Sequence, residues 1–176
     1  MEPSERERFE DVMLPHLSAA YTLARYLMRN DYDADDVVQD AFLRAIKYFG
    51  GFRGEGSSAS RGWLLAIVRN TAYTWRRRQR ADLSAVEFDE GLHSEAISEE
   101  HPESVFSRGA SRATLAETLD QLPPEFREVI VLRELQGLSY KEISTVAGVP
   151  VGTVMSRLSR ARQRLSEVLT ASNQDR

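Results

Sequence analysis

Every periodic stretch of this 176-residue chain repeats its apolar residues at helical spacing, and no alternating strand pattern stands out. Such a chain can bury its hydrophobic residues only by packing helix on helix, so the expected fold class is all-α. The pattern reads as helices over about 5–14, 16–29, 33–49, 60–80, 111–121, 124–136, 139–147 and 151–169. Pro15 separates the first two, Asp31 to Asp33 offers a cap for the third, and Pro123-Pro124 opens the sixth, where proline costs least. The periodicity lapses from Ala81 to Arg112, a stretch rich in Ser, Glu and Gly that reads as a solvated tether. Some 32 such residues reach roughly 30 Å. The expected organisation is an N-terminal helical domain over 1–80, a flexible acidic linker over 81–112 and a helix-turn-helix domain over 113–176.

Charge sharpens this division. The whole chain carries 23 Lys+Arg against 27 Asp+Glu, a net charge of −4, which taken alone points away from nucleic acid. The deficit belongs to the tether, since the first segment has a small excess of bases and the last is balanced. Arg69, Arg76, Arg77, Arg78 and Arg80 occur with no acid between them, and Arg157, Arg160, Arg162 and Arg164 do the same near the C-terminus. Two short basic stretches, one per domain, suggest two electrostatic footprints, although most charge runs are solvated helix faces and arginine-richness also follows from genomic bias. With no cysteine, the chain has no disulfide, zinc–thiolate site, iron–sulfur cluster or thiol nucleophile. No apolar run approaches the ~18 residues of a membrane span, and the charged N-terminus is unlike a signal peptide. These features suit a cytoplasmic protein without membrane insertion.

The faces of individual helices carry more. In the third helix, Val37, Val38, Ala41, Phe42, Ala45, Ile46 and Phe49 fall on one side and are expected core. Asp36, Gln39, Asp40, Leu43 and Lys47 fall on the other, where Leu43 among acids suits a partner surface better than bare water. In the fourth helix, Trp63, Leu64, Ile67, Val68, Thr71 and Trp75 oppose Arg69, Tyr73, Arg76, Arg77 and Arg80, with Asn70 at the edge. Arginines beside an aromatic ring can neutralise phosphates and stack an unpaired base. Phe52-Arg53-Gly54-Glu55-Gly56-Ser57-Ser58-Ala59-Ser60 before it reads as a flexible loop, with neither the glycine frame nor the preceding strand of a phosphate-binding loop.

Near the C-terminus, a helix opened by a Ser139 cap, a Gly148-Val149-Pro150 break and a second helix from Val151 have the helix-turn-helix form. Val154, Leu158, Ala161 and Leu165 face inward in the second helix. Ser156, Ser159, Arg160 and Gln163 face outward, with Thr153 and Met155 near the exposed end, where a recognition helix meets base edges. Arg157, Arg162 and Arg164 flank them as phosphate clamps would; a hairpin used only for packing is the other reading. His16, His93 and His101 are too scattered for a metal site. Asp31-x-Asp33-x-Asp35 fails as a calcium loop because Asp36 and Phe42 stand where glycine and glutamate belong. No catalytic cluster, metal site or cofactor site emerges, so no enzymatic activity is expected.

Asp33-Ala34-Asp35-Asp36-Val37-Val38-Gln39-Asp40-Ala41-Phe42-Leu43-Arg44-Ala45 resembles the second conserved region of bacterial extracytoplasmic-function (ECF) sigma factors. Trp63-Leu64 through Ile67, Asn70 and the following arginines are similar to their promoter-melting helix. Leu119 to Pro123, Arg127, Leu132, Gly137 to Ile143 and Gly152 to Arg162 resemble the fourth region. The resemblance implies that Asp36, Gln39, Asp40 and Leu43 bind core RNA polymerase at the β′ clamp helices, with further contact to the β subunit. It also implies that residues 52–60, including Arg53, hold a flipped promoter base, and that Asn70, Tyr73, Thr74, Arg76, Arg77 and Arg80 meet the melting minus-ten element. Thr153, Met155, Ser156, Arg157, Ser159, Arg160, Gln163 and Arg164 would face the minus-thirty-five duplex. Thr74 and Met155 depart from the commoner family residues, which leaves the bases read undetermined. An anti-sigma factor is the further partner implied. A lone regulator that binds duplex DNA through residues 139–165 is the competing reading, and a protein-binding adaptor is a third; the Asp36/Gln39/Asp40 face separates the first two, since a lone regulator has no need of it.

Overall fold

The computed structural model describes residues 2–84 and 112–174, side chains included for 2–83 and 115–171. Among them every regular element is helical, as expected, and they form two sets. The first comprises α1 (Pro3–Met13), α2 (Leu17–Met28), α3 (Asp31–Tyr48) and α4 (Gly56–Ser84). The second comprises α5 (Arg112–Asp120), α6 (Pro124–Ile130), α7 (Tyr140–Ala147) and α8 (Val151–Gln174). No helix is long and apolar enough to cross a membrane among the described residues.

In the first set, α2, α3 and α4 pack against one another around Leu23, Leu27, Val37, Ala41, Leu64, Leu65 and Val68, all fully buried. Small residues at Ala24, Ala34, Ala45 and Ala72 let the helices approach closely. Phe9 of α1 meets Phe49 edge-on at 5.2 Å, Phe49 stacks on Phe52 at 6.0 Å, and Phe52 meets Trp63 at 5.1 Å. This aromatic chain pins the segment between α3 and α4 from both sides, each pair adding ~0.5–1.5 kcal/mol beyond burial. The segment is therefore ordered rather than the flexible loop expected over 52–60, and Gly56 to Ser60 already form the first turn of α4. Arg53 folds back to donate to the Gly50 carbonyl at 2.6 Å and the Phe52 carbonyl at 3.1 Å. Gly54 is required there, since a Cβ would stand 2.6 Å from the Phe52 ring.

Three further expectations need correction. Asn30, not Asp31 to Asp33, caps α3: its side chain accepts from the Tyr32 and Asp33 amides at 2.8 and 3.3 Å. Asp31 and Asp33 instead complement the helix dipole from the first turn. Ile46 is 39% exposed, because the α3 stripe facing α2 and α4 is narrower than the apolar pattern suggests. Finally, α4 continues through Ser84, four residues into the stretch read as linker; residues 85–111 of that linker lie outside the described residues.

Each of α5, α6 and α7 is shorter than a helix stable alone in water, so caps and burial must hold them. Arg127 is 1% exposed, and its guanidinium donates to the carbonyls of Leu119 at 2.9 Å, Asp120 at 3.3 Å and Leu122 at 2.7 Å. It thereby satisfies the carbonyls that α5 leaves open at its C-terminus. The helix expected over 124–136 changes pitch at Ile130, continuing as a π turn over Val131–Leu135. Ser139 and Glu142 form a reciprocal capping box for α7, at 2.7 and 3.1 Å. Gly148, at φ +67°, makes the tight turn, and the Ser144 hydroxyl donates across it to the Val149 carbonyl at 2.5 Å. Val154, Leu158, Ala161 and Leu165 of α8 are buried against this set, as expected.

Two stability predictions arise. Arg127→Ala leaves three carbonyls without their donor and lowers the stability of the second helical set by ~3 kcal/mol or more, read by hydrogen exchange of the 119–132 amides under urea. His16 is buried, its Nε2 2.9 Å from Ser60 Oγ, whose own proton goes to the Ser57 or Gly56 carbonyl. Burial, then the nearby Arg61 charge, hold the imidazole below the ordinary histidine range. The unfolded chain therefore takes up the proton first, so this stability is complete above pH ~6.5 and is lost as pH falls through the lowered folded value. Trp63 and Trp75, the chain's two tryptophans, report on this set. Their fluorescence melting temperature should fall from pH 7.5 to 5.5 in the wild type, with a flatter slope in His16→Gln.

Candidate protein and nucleic-acid interfaces

On α3, the outward side chains sort by depth. Asp36, Gln39 and Leu43 are exposed, Leu43 at 67%. Asp40 sits lower: it accepts from Arg44 at 3.2 and 3.1 Å and from the Trp75 indole N–H of α4 at 3.3 Å. Burial alone would raise its pKa, but the hydrogen bonds from Arg44 and Trp75 outweigh it and hold the carboxyl below the usual carboxylate range. Of the four residues expected at a polymerase surface, three are available to a partner and Asp40 is mainly a joint between α3 and α4. Trp75 was assigned only to core, and nothing in the spacing distinguishes an indole that packs from one that also donates.

On α4, Asn70, Arg77 and Arg80 are exposed, and Tyr73, Thr74 and Arg76 half-buried. The Arg69 guanidinium lies over the Tyr73 ring, 4.1 Å from its centroid, and also donates to Asn70 Oδ1 at 3.3 Å. These three present a pre-stacked cation, ring and amide, the kind of platform on which a base can lie. Thr74 spends its hydroxyl proton on the Asn70 carbonyl at 2.9 Å. Arg76 reaches back to the Leu27 carbonyl at 2.8 Å, so it is anchored to α2 where the sequence suggested a freely outward arginine. Arg53, tied to its own loop, likewise shapes the segment before α4.

On α8, the solvent face has a centre and two borders. Gly152, Ser156, Ser159 and Gln163 form the centre, Val151 and Met155 one border, Thr153, Arg160 and Arg164 the other. Ser156 donates to the Thr153 carbonyl at 3.1 Å, which uses its proton and not its acceptor capacity. Gln163 bonds Glu167 at 3.3 Å. The arginines differ in availability. Arg162, expected as a phosphate clamp, is paired with Glu134 of the π turn at 2.7 Å and is mostly buried. Burial would lower its pKa, yet its bonds to Glu134 and Tyr140 raise it, which marks a structural ion pair. Arg164 lies over Phe126 at 5.0 Å. Arg160 makes no hydrogen bond, ion pair or ring contact among the described residues, and one Arg157 nitrogen is buried without a partner.

Two family models match the chain, one over each set of helices. Sigma-70 region 2 matches residues 13–81, and sigma-70 region 4 matches residues 112–165. The RNA polymerase sigma-H factor of Pseudomonas aeruginosa is 37% identical over 173 residues, covering 94% of this chain and 88% of its own. The ECF RNA polymerase sigma-E factor of Escherichia coli K12 is 38% identical over 152 residues, 83% of this chain and 78% of its own. Among solved structures, the sigma factor RpoE in complex with the anti-sigma factor NepR from Bartonella quintana aligns with a TM-score of 0.73 at 29% identity, over 93% of this chain and 98% of that one. CnrH in complex with the cytosolic domain of CnrY aligns at 0.63 with 30% identity, over 94% and 90%. Two regions in this order, over helices whose outward faces are acidic-apolar on α3 and arginine-bearing on α4 and α8, place the chain in its family: it belongs to the ECF RNA polymerase sigma factors.

Proposed function

We propose that the chain is a dissociable initiation subunit that binds core RNA polymerase, directs it to particular promoters and assists melting, without catalysing a step itself. The observation that carries this reading is the pairing of region 2 over α2–α4 with region 4 over α5–α8 in one chain. In this reading the outer face of α3 is the polymerase surface, with Asp36, Gln39 and Leu43 in contact and Asp40 holding the face to α4. The Arg69/Tyr73/Asn70 platform of α4, with Arg77 and Arg80, meets the unstacked minus-ten strand. The solvent face of α8 meets the minus-thirty-five duplex. Flipping a base costs a few kcal/mol of stacking, which a preformed cation–ring platform offsets better than mobile side chains. Residues 81–112 connect the two modules, and the protein works in the cytoplasm, where core polymerase is. An anti-sigma factor that covers these surfaces is the expected control, since the similar RpoE structure holds a sigma factor with the anti-sigma factor NepR, and the similar CnrH structure holds CnrH with the cytosolic domain of CnrY.

The double change Asp36→Arg with Leu43→Ala, both at exposed positions, should abolish core association in a pull-down while leaving the melting temperature unchanged. Retained association would displace the polymerase surface from α3. For Arg160→Ala, holoenzyme binding to a promoter library should lose discrimination at one upstream base pair, worth ~1–3 kcal/mol. A uniform loss over all sequences would make Arg160 a phosphate contact instead.

A further inference from the structure

The face of α8 contains two features that its own fold does not explain. Gly152 is the second residue of α8, with no positive φ, and a Cβ added there would meet nothing within 4 Å. Glycine is a poorer helix former than alanine, so neither backbone geometry nor internal packing accounts for it. Glycine's remaining use at such a position is to let another molecule come close to the backbone. One helical turn apart on the adjacent border, Val151 and Met155 are 39% and 48% exposed. They stand outside the buried stripe of Val154, Leu158, Ala161 and Leu165 and keep a large share of their apolar surface exposed. On the opposite border stands Arg160, without an internal partner among the described residues.

Resting on the reading of α8 as the helix that meets duplex DNA, we propose that Met155, with Val151 beside it, reads thymine 5-methyl groups in the major groove, and that Gly152 sets the depth at which it does so. The groove wall offers few apolar targets, and the thymine methyl is the one a Met or Val side chain matches. Arg160 lies across the Gly152/Ser156 centre, on the opposite border from Met155, so its base contact falls away from the thymine methyls. The Ser156 hydroxyl proton is committed to the Thr153 carbonyl, so beside Met155 this side chain offers a base edge an acceptor but no donor. Met adapts to irregular surfaces and so tolerates small offsets between helix and methyl.

The test uses holoenzyme reconstituted from the full chain and core polymerase. A duplex pool randomised upstream is selected, and each thymine of the winning sequence is then replaced singly by uracil, which lacks only the methyl. The expected result is a three- to fourfold loss of affinity at one or two adjacent thymines, the value of one buried methyl, and none elsewhere. Met155→Ala should bind thymine and uracil forms alike, and 5-methylcytosine opposite guanine should not rescue it. Gly152→Ala should raise the melting temperature while weakening binding to the selected duplex, an opposition that a merely structural glycine would not produce. Failure to enrich any sequence would overturn the role of α8 itself. Enrichment without uracil sensitivity, or with sensitivity unchanged in Met155→Ala, would overturn the methyl reading alone.

Discussion

The bond from the Trp75 indole to Asp40 is the joint on which the first helical set depends. It links the middle of α3 to the last third of α4, and Arg44 closes the same carboxylate from the α3 side. The outward faces of these two helices carry different chemistry, acidic-apolar on one and arginine-aromatic on the other. Their separation is therefore set by a half-buried charge with three donors. Such a charge is costly to leave unpaired, so the two helices resist sliding along one another. Gln79 adds a second tie to Asp33 at 3.1 Å, and Arg76 a third to the Leu27 carbonyl. Under the proposed reading, the polymerase and DNA faces carried by these two helices are held in a fixed relation without a moving part.

The second set meets a different constraint, because its first three helices are too short to stand alone. Arg127 answers this by joining the end of α5 to α6 through carbonyls, a use of arginine that requires full burial. The π turn at Val131–Leu135 then rotates Glu134 toward α8, where it meets Arg162. Arg133 donates to the Leu138 carbonyl at 2.8 Å and covers the Tyr140 ring at 4.8 Å, steadying the entry into α7. Polar side chains here do the work of longer helices.

Helix existence, helix order and the inward stripe of α8 were legible in the sequence because each rests on a 3.6-residue period that tertiary packing reinforces. The Ser139 cap was legible for a similar reason, as capping chemistry acts over three residues. What could not be read was the fate of long side chains. Arg76 and Arg160 look alike on a helical wheel, yet one is anchored 49 positions away in sequence and the other has no internal partner. Arg162 fell on the outward side as a clamp, but the π turn brings Glu134 under it. Asp40 was grouped with Asp36 by spacing, although only the position of Trp75 decides that it is a joint. The segment before α4 misled through its Gly and Ser content, since the aromatic residues that order it come from α1, the end of α3 and α4 itself.

Sorting the arginines by what they already hold also changes the meaning of the charge. A basic run counts toward DNA affinity only for the cations still free to meet phosphate, and each such contact contributes ~0.9 to the salt slope. Arg53, Arg76, Arg127, Arg133 and Arg162 are committed to carbonyls or to a carboxylate. These five are withdrawn from that pool, and the whole chain is net negative. Non-specific attraction to DNA is then weak for the chain by itself. Under the proposed reading, affinity comes from core polymerase, which supplies its own contacts, while the uncommitted side chains of α4 and α8 discriminate. A subunit of this kind gains promoter selectivity from its low charge, because little of its binding energy is available to the wrong sequence.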